Sequence, residues 1–233
     1  MQIARMKTLL LAGVSSIAIT AGAFTGDARA QAPAINWTGF YVGGTIGGAW
    51  LDNKQTYASE IGICGDTAGA SCSVSANGWV VGAHAGYLWQ SGMIAYGVEG
   101  DFSAAMLNNT IPDPGGYSGG SLTAGIDAVV SLRGRIGVVH NAIYVYVTGG
   151  IAAGHLKSGW IAAYGGNLNH WKSGSVIGGG IEYAMNPRTT LRAEILHYDF
   201  GTLTANIPGT GTTYSTQFEH KMTTARIGLS LKW

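Results

Sequence analysis

Nine charged residues recur at the spacing of an extended chain and could act together: Glu99, Asp101, Arg133, Arg135, Glu182, Arg192, Glu194, Arg226 and Lys232. Glu99 and Asp101, Arg133 and Arg135, and Arg192 and Glu194 each lie two positions apart, which puts both members on one face of a strand. Two chemistries suit such a set. Paired carboxylates can serve as acid and base in hydrolysis, but only beside a pocket that admits substrate. Alternatively, the charges pair with one another. Buried charges persist only when paired and hydrogen-bonded, and the planar guanidinium fork matches a carboxylate. A charge network that fills an interior is the reading these residues favour.

Other chemistry finds little support in the spacing. The chain has no nucleophile elbow of the GxSxG kind and no HExxH pair. His155, Tyr164 and His170 fall in one segment and could ligate haem iron, which is the weaker option because the six histidines are otherwise scattered. Cys64 and Cys72 enclose a short segment of small polar residues and read as a disulfide that staples a loop. No cofactor, metal or catalytic residue is expected, and the chain does not read as an enzyme.

These residues must be positioned by an exported chain. Arg5 and Lys7 precede an uncharged apolar run from Leu9 to Ala23, and Ala28-Arg29-Ala30 offers a cleavage site, with Ala30-Gln31-Ala32 as the competitor. Residues 1–30 are therefore expected to be a cleaved secretory signal peptide and 31–233 a single barrel domain. Export also places the cysteines in an oxidising compartment. Of 233 residues, 38 are glycine, 46% are hydrophobic and only 11% are charged, with a net charge of +1. So few charges cannot coat a soluble surface, and the absence of a basic block excludes nucleic acid as a partner.

Eight stretches alternate large apolar residues with small or charged ones: Thr38 to Trp50, Gly78 to Trp89, Ile94 to Ser103, Ile126 to Val138, Ile143 to Ala153, Ser173 to Tyr183, Thr189 to Asp199 and Ala225 to Trp233. In the fourth, Asp127, Ser131, Arg133 and Arg135 share the small face. Short turns at Gln90-Ser91-Gly92, His140-Asn141-Ala142 and Met185-Asn186-Pro187 alternate with long links running roughly Leu51 to Asn77, Ala104 to Leu122, Gly154 to Lys172 and Gly201 to Met222. A meander of this kind spans a bilayer only if its sheet closes, because hydrocarbon supplies no partner for peptide groups. The pattern predicts an all-β, eight-stranded antiparallel up-and-down transmembrane β-barrel with charges inside and apolar residues outside. Tyr41, Trp50, Trp79, Tyr87, Trp89, Tyr96 and Tyr183 are expected in girdles at the two membrane interfaces.

Several motifs in order carry a resemblance: Trp37-Thr38-Gly39-Phe40-Tyr41-Val42-Gly43-Gly44, Tyr96-Gly97-Val98-Glu99-Gly100-Asp101-Phe102, Arg133-Gly134-Arg135-Ile136-Gly137, Tyr146-Val147-Thr148-Gly149-Gly150, Gly180-Ile181-Glu182-Tyr183 and Arg226-Ile227-Gly228-Leu229. Over the whole mature region the chain resembles the small outer-membrane β-barrel family of alphaproteobacteria, whose members are called outer-membrane immunogenic proteins or porin-family proteins. The resemblance implies an eight-stranded barrel in the cell outer membrane of a Gram-negative bacterium. That family usually ends in Phe after alternating apolar residues that look like the signal read by the barrel assembly machinery. Here Ile227, Leu229, Leu231 and Trp233 stand in those places, with Trp for Phe.

The expected function is non-enzymatic: a structural, surface-presenting barrel, its lumen plugged by the charge network and its four long loops extracellular. Its expected partners are outer-membrane lipid and lipopolysaccharide, the assembly machinery, and an unidentified loop ligand. The alternatives are a narrow porin-like channel for small solutes or ions, and a loop-mediated adhesin or haem binder. An eight-stranded lumen is barely wide enough for its own side chains, which disfavours free diffusion.

Overall fold

The structure, a computed structural model, describes residues 35–57, 71–112, 121–161, 166–208 and 213–233. The expected signal peptide lies outside the described residues, as do Cys64 and Tyr164. Eight strands follow one another: β1 (Gly39–Tyr57), β2 (Ser71–Ser91), β3 (Ile94–Pro112), β4 (Ser121–His140), β5 (Ile143–Ile161), β6 (Gly166–Asn186), β7 (Thr189–Pro208) and β8 (Thr213–Lys232). Each pairs antiparallel with its neighbours, and β1 pairs with β8 to close the barrel. The closing seam is reinforced at its end by Trp233 N donating to Phe40 O at 2.9 Å.

At one end the strands meet in three tight turns. Gly92 and Asn141 adopt φ of 60° and 53°, the left-handed conformation that a two-residue hairpin turn requires and that Gly and Asn tolerate best. Asn186 Oδ1 accepts from Arg188 N and Thr189 N, each at 2.9 Å, and so holds the third turn. At the other end the strands outrun the sequence expectation. Much of each link expected to be irregular is strand, from Leu51 to Tyr57, Ala104 to Pro112, Gly154 to Ile161 and Gly201 to Pro208. These stretches are rich in Gly, Ser, Thr and Asn, so their strand character comes from ladder pairing with neighbours rather than from their own propensity.

Two ladders stop early. The β2–β3 ladder ends at Trp79 opposite Met106, and the β6–β7 ladder at Ser175 opposite Asp199. The other six continue to the loop end. There the wall divides into two four-stranded blades, β7-β8-β1-β2 and β3-β4-β5-β6. Side chains bridge the divisions: Asn109 Nδ2 donates to Ser75 O at 2.6 Å, and Lys172 Nζ to Thr202 O at 3.4 Å.

The outer wall below the divisions is apolar. Ile46, Val98, Leu132, Val147, Ile181, Ile195 and Leu229 are all exposed, as are Trp50 and Trp79 at one rim and Trp89, Tyr96, Tyr183 and Trp233 at the other. The interval from Trp79 to Trp89 is about 33 Å along the strand, or about 25 Å once tilted by about 40°, which is the height of a lipid-facing band. Tyr41 departs from the girdle expectation: it is 4% exposed and points inward. Its odd position on β1 gives it the parity of Gly43 and Thr45, and that parity overrides its place near the strand end.

The lumen is filled in layers. At the turn end, Trp37, Tyr41, Leu88, Ala95, Val139, Tyr144, Tyr146 and Ala184 form an apolar floor. Trp37 enters it from the segment before β1, which is tied down by Trp37 N to Gln90 Oε1 at 2.8 Å and Gln90 N to Thr38 Oγ1 at 2.9 Å. Toward the loop end a second apolar layer gathers Leu51, Leu107, Ile126, Leu156, Leu196, Tyr198, Phe200 and Met222. Glycine lets the wall close around these layers. A Cβ on inward-facing Gly137 would overlap the Val145 carbonyl oxygen and Tyr146 Cα, whereas one on outward-facing Gly134 would meet nothing nearer than 3.9 Å. Gly137→Ala is therefore expected to lower the unfolding free energy in urea by about 1–3 kcal/mol. Gly134→Ala should stay within about 0.5 kcal/mol of the parent. Equal effects of the two would contradict this account of the wall.

Candidate functional site: the charged layer of the lumen

Between the two apolar layers, inward positions of β3, β4, β6, β7 and β8 carry eight charged side chains. Alternation aligns them: Glu99 lies opposite Arg133, Glu182 opposite Arg192 and Glu194 opposite Arg226 in the ladders. Four guanidinium groups, of Arg133, Arg135, Arg192 and Arg226, face four carboxylates, of Glu99, Asp101, Glu182 and Glu194. The layer is neutral as a whole, and each of these side chains is at most 4% exposed.

Glu99 is the hub. Its Oε1 accepts from Arg133 at 2.5 Å and Arg192 at 3.0 Å, and its Oε2 from Arg192 at 2.6 Å, Arg135 at 2.9 Å and the Tyr41 hydroxyl at 2.7 Å. Arg192 thus grips both oxygens of the carboxylate, the two-point geometry that makes guanidinium the preferred buried cation. Glu182 accepts from Arg192 Nε at 2.8 Å and from Arg135. Glu194 accepts from Arg133 at 2.9 Å, from Arg226 Nη2 at 2.9 Å and from the Tyr146 hydroxyl at 3.0 Å. Asp101 accepts from Ser131 Oγ and lies 3.1 Å from Arg133 and 3.3 Å from Arg226. The Arg135 guanidinium rests 3.9 Å from the centroid of the Tyr146 ring, so the aromatic floor contributes a cation–π contact.

Lys232, expected in this network, lies apart from it. Its position on β8 has the inward parity, but six residues beyond Arg226 it has reached the turn end, where its Nζ donates to the Asn36 carbonyl. Asp127 is also displaced from the expected inner face. The β4–β5 register shifts between Ile126 and Ala128, and this bulge turns Asp127 outward against Lys157 at 2.7 Å and His155 at 3.4 Å. His155 and His170 do not converge on one iron site. Leu156 is the ladder partner of His170 and Trp171 that of His155, so adjacent parities send the two imidazoles to opposite faces of the wall. Cys72 is disulfide-bonded at the start of β2, and Cys64, with which it was expected to pair, is outside the described residues. Ile227, Leu229 and Leu231 all face outward, as does Trp233, whose ring lies 6.0 Å from that of Phe40 across the closing seam.

The sequence reading missed the neutral members of the layer. Tyr41, Tyr146, Ser103 and Ser131 complete the hydrogen bonding of the ions, and His84 lies beside them with its Nε2 2.8 Å from Ser230 Oγ. Their inward parity was visible, but their partners come from other strands.

Comparison with known proteins identifies the family. The family described as "Outer membrane protein beta-barrel domain" matches residues 12–231. The "31 kDa outer-membrane immunogenic protein" of Brucella melitensis biotype 1 is 29% identical over 212 residues, which is 84% of this chain and 88% of that protein. The "22 kDa outer membrane protein" of Rhizobium leguminosarum bv. viciae is 29% identical over 173 residues, covering 72% and 66% of the two chains. Among solved structures, the outer membrane protein OprG from Pseudomonas aeruginosa superposes with a TM-score of 0.49 at 16% identity, over 85% of this chain and 97% of that one.

Removing the hub leaves three guanidinium groups short of a counter-charge. Glu99→Ala is expected to lower the unfolding free energy, followed in urea by tryptophan fluorescence, by about 3–5 kcal/mol. Lys232→Ala, outside the network, should change it by less than about 0.5 kcal/mol. A Glu99→Ala loss as small as that of Lys232→Ala would contradict the arrangement.

Proposed function

The chain belongs to the outer membrane protein beta-barrel domain family and resides in the cell outer membrane, and from that premise we propose that it is a non-enzymatic barrel with a structural and surface-presenting role. The observation that carries this reading is the neutral charged layer enclosed between two apolar layers. A water path along the axis would have to cross both apolar layers, and in the charged layer every carboxylate is already engaged by an arginine. Neither a channel nor acid–base catalysis by the carboxylates fits that occupancy, since a general base needs reach to a substrate proton.

What the barrel then offers the cell is its two outer surfaces. The apolar band is held by lipid and lipopolysaccharide. The four connections between strands at the loop end face outward from the cell and are the part available to an external ligand, which fits the word immunogenic in the description of the Brucella relative. During biogenesis the alternating Ile227, Leu229, Leu231 and Trp233 along the outer face of β8 serve as the signal for the barrel assembly machinery.

Reconstitution into planar bilayers tests the plug. Protein shown to be folded by heat-modifiable gel migration is expected to give no single-channel steps. Stable, salt-dependent steps from the same preparation would overturn the plugged reading in favour of a narrow channel.

A further inference from the structure

Above the apolar band, where the β6–β7 ladder has ended, the inner face changes character. β6 presents His170 and Lys172 inward, from positions opposite buried Leu156 and Gly154. β8 presents His220, and Asn53 of β1 lies opposite it in the ladder, with Asn53 Nδ2 2.8 Å from His220 Nε2. We propose that His170, Lys172 and His220, with the Asn53 amide, form a binding site for a tetrahedral oxyanion of the phosphate or sulfate class at the extracellular mouth of the lumen.

Three observations carry the assignment. First, the mouth holds the Lys172 ammonium and two imidazoles with no inward carboxylate beside them among the described residues. The carboxylates at this level, Asp52, Asp127, Asp199 and Glu219, take outward positions, and among the described residues no Asp or Glu faces inward above the charged layer. This is the reverse of the layer below, where every arginine meets a carboxylate. Second, donors are available. Among the described residues, Lys172 Nζ reaches only the Thr202 carbonyl, at 3.4 Å across the division between the blades, and the buried Nε2 of His170 has no partner. Third, burial and a positive local potential keep both imidazoles neutral at pH 7. Burial, and after it the proximity of His170 and Lys172, pushes His220 down to about 4, and burial followed by Lys172 and His155 lowers His170. An oxyanion seated among them would offset that potential and accept from the Lys172 ammonium and the His170 Nε2–H.

The division between β6 and β7, bridged by Lys172, lies beside the site immediately above the lipid-facing band. The occupant of the site is therefore either a phosphate of a neighbouring lipid headgroup or a phosphate or sulfate group arriving from outside the cell. The site lies above the charged layer, level with Leu156 and Val74 at the outer edge of the loop-end apolar layer.

Imidazole NMR of the folded protein in detergent micelles, titrated with inorganic phosphate, tests it. The His170 and His220 resonances are expected to shift together and saturate, while His140 at the turn end stays still. Lys172→Gln should weaken the apparent affinity about tenfold or more, and Lys157→Gln, on the outer face, should leave it unchanged. If neither His170 nor His220 responds, or if Lys172→Gln binds phosphate as the parent does, the assignment is overturned. Repeating the titration in nanodiscs with lipopolysaccharide separates the sources: a site already blocked belongs to lipid phosphate, and a site still open to phosphate belongs to a soluble anion.

Discussion

Hydrocarbon offers no hydrogen-bond partner to a peptide group, and a sheet that crosses it must therefore have no edge. The β1–β8 ladder, which runs from Tyr41 opposite Lys232 up to Tyr57 opposite Thr216, meets that requirement. Closure in turn creates an interior, and with eight strands that interior has to be filled by side chains. Where the outside no longer faces lipid, the constraint relaxes, and two of the eight ladders end just above the apolar band.

How the interior is filled decides what the protein can do. Apolar side chains alone would suffice for packing, yet the middle layer is ionic. Ions in such a place cost several kcal/mol each in lost hydration, and only mutual pairing with added hydrogen bonds offsets this. The equality of four guanidinium groups and four carboxylates, and the hydroxyl donors from Tyr41, Tyr146 and Ser131, satisfy that condition. Their convergence from five strands also ties distant parts of the chain together: Glu99 and Arg192 are 93 residues apart, and Asp101 and Arg226 are 125. A slipped strand register would break this layer, so it helps to specify the register.

Much of this was legible from the sequence, because strand parity is local. The alternation of Phe40, Val42 and Ile46 with Tyr41, Gly43 and Thr45 assigns faces without knowledge of any neighbour, and the same holds for the charges on β3, β4, β6, β7 and β8. Three-dimensional partners were less accessible. Adjacent-strand pairs such as Glu99 and Arg133 follow from a meander, but the contacts of Arg192 with Glu99 across the lumen depend on strand tilt. Asp127 was misplaced because a single bulge inverts parity with no signature in composition. Lys232 was misplaced because parity gives a face and not a depth. The extra length of the strands was hidden because their Gly, Ser, Thr and Asn composition matches that of loops, and pairing overrode it.

The central claim is that the charged layer is dry and sealed by the apolar layers on either side. Proton exchange at the arginine side chains, measured by NMR on the folded barrel, tests this most directly, with exposed Arg188 at a turn as the internal reference. The account predicts that guanidinium protons of Arg133 and Arg192 persist long after those of Arg188 have exchanged with water. Exchange at Arg133 and Arg192 as fast as at Arg188 would show water reaching the layer and would contradict the sealed lumen.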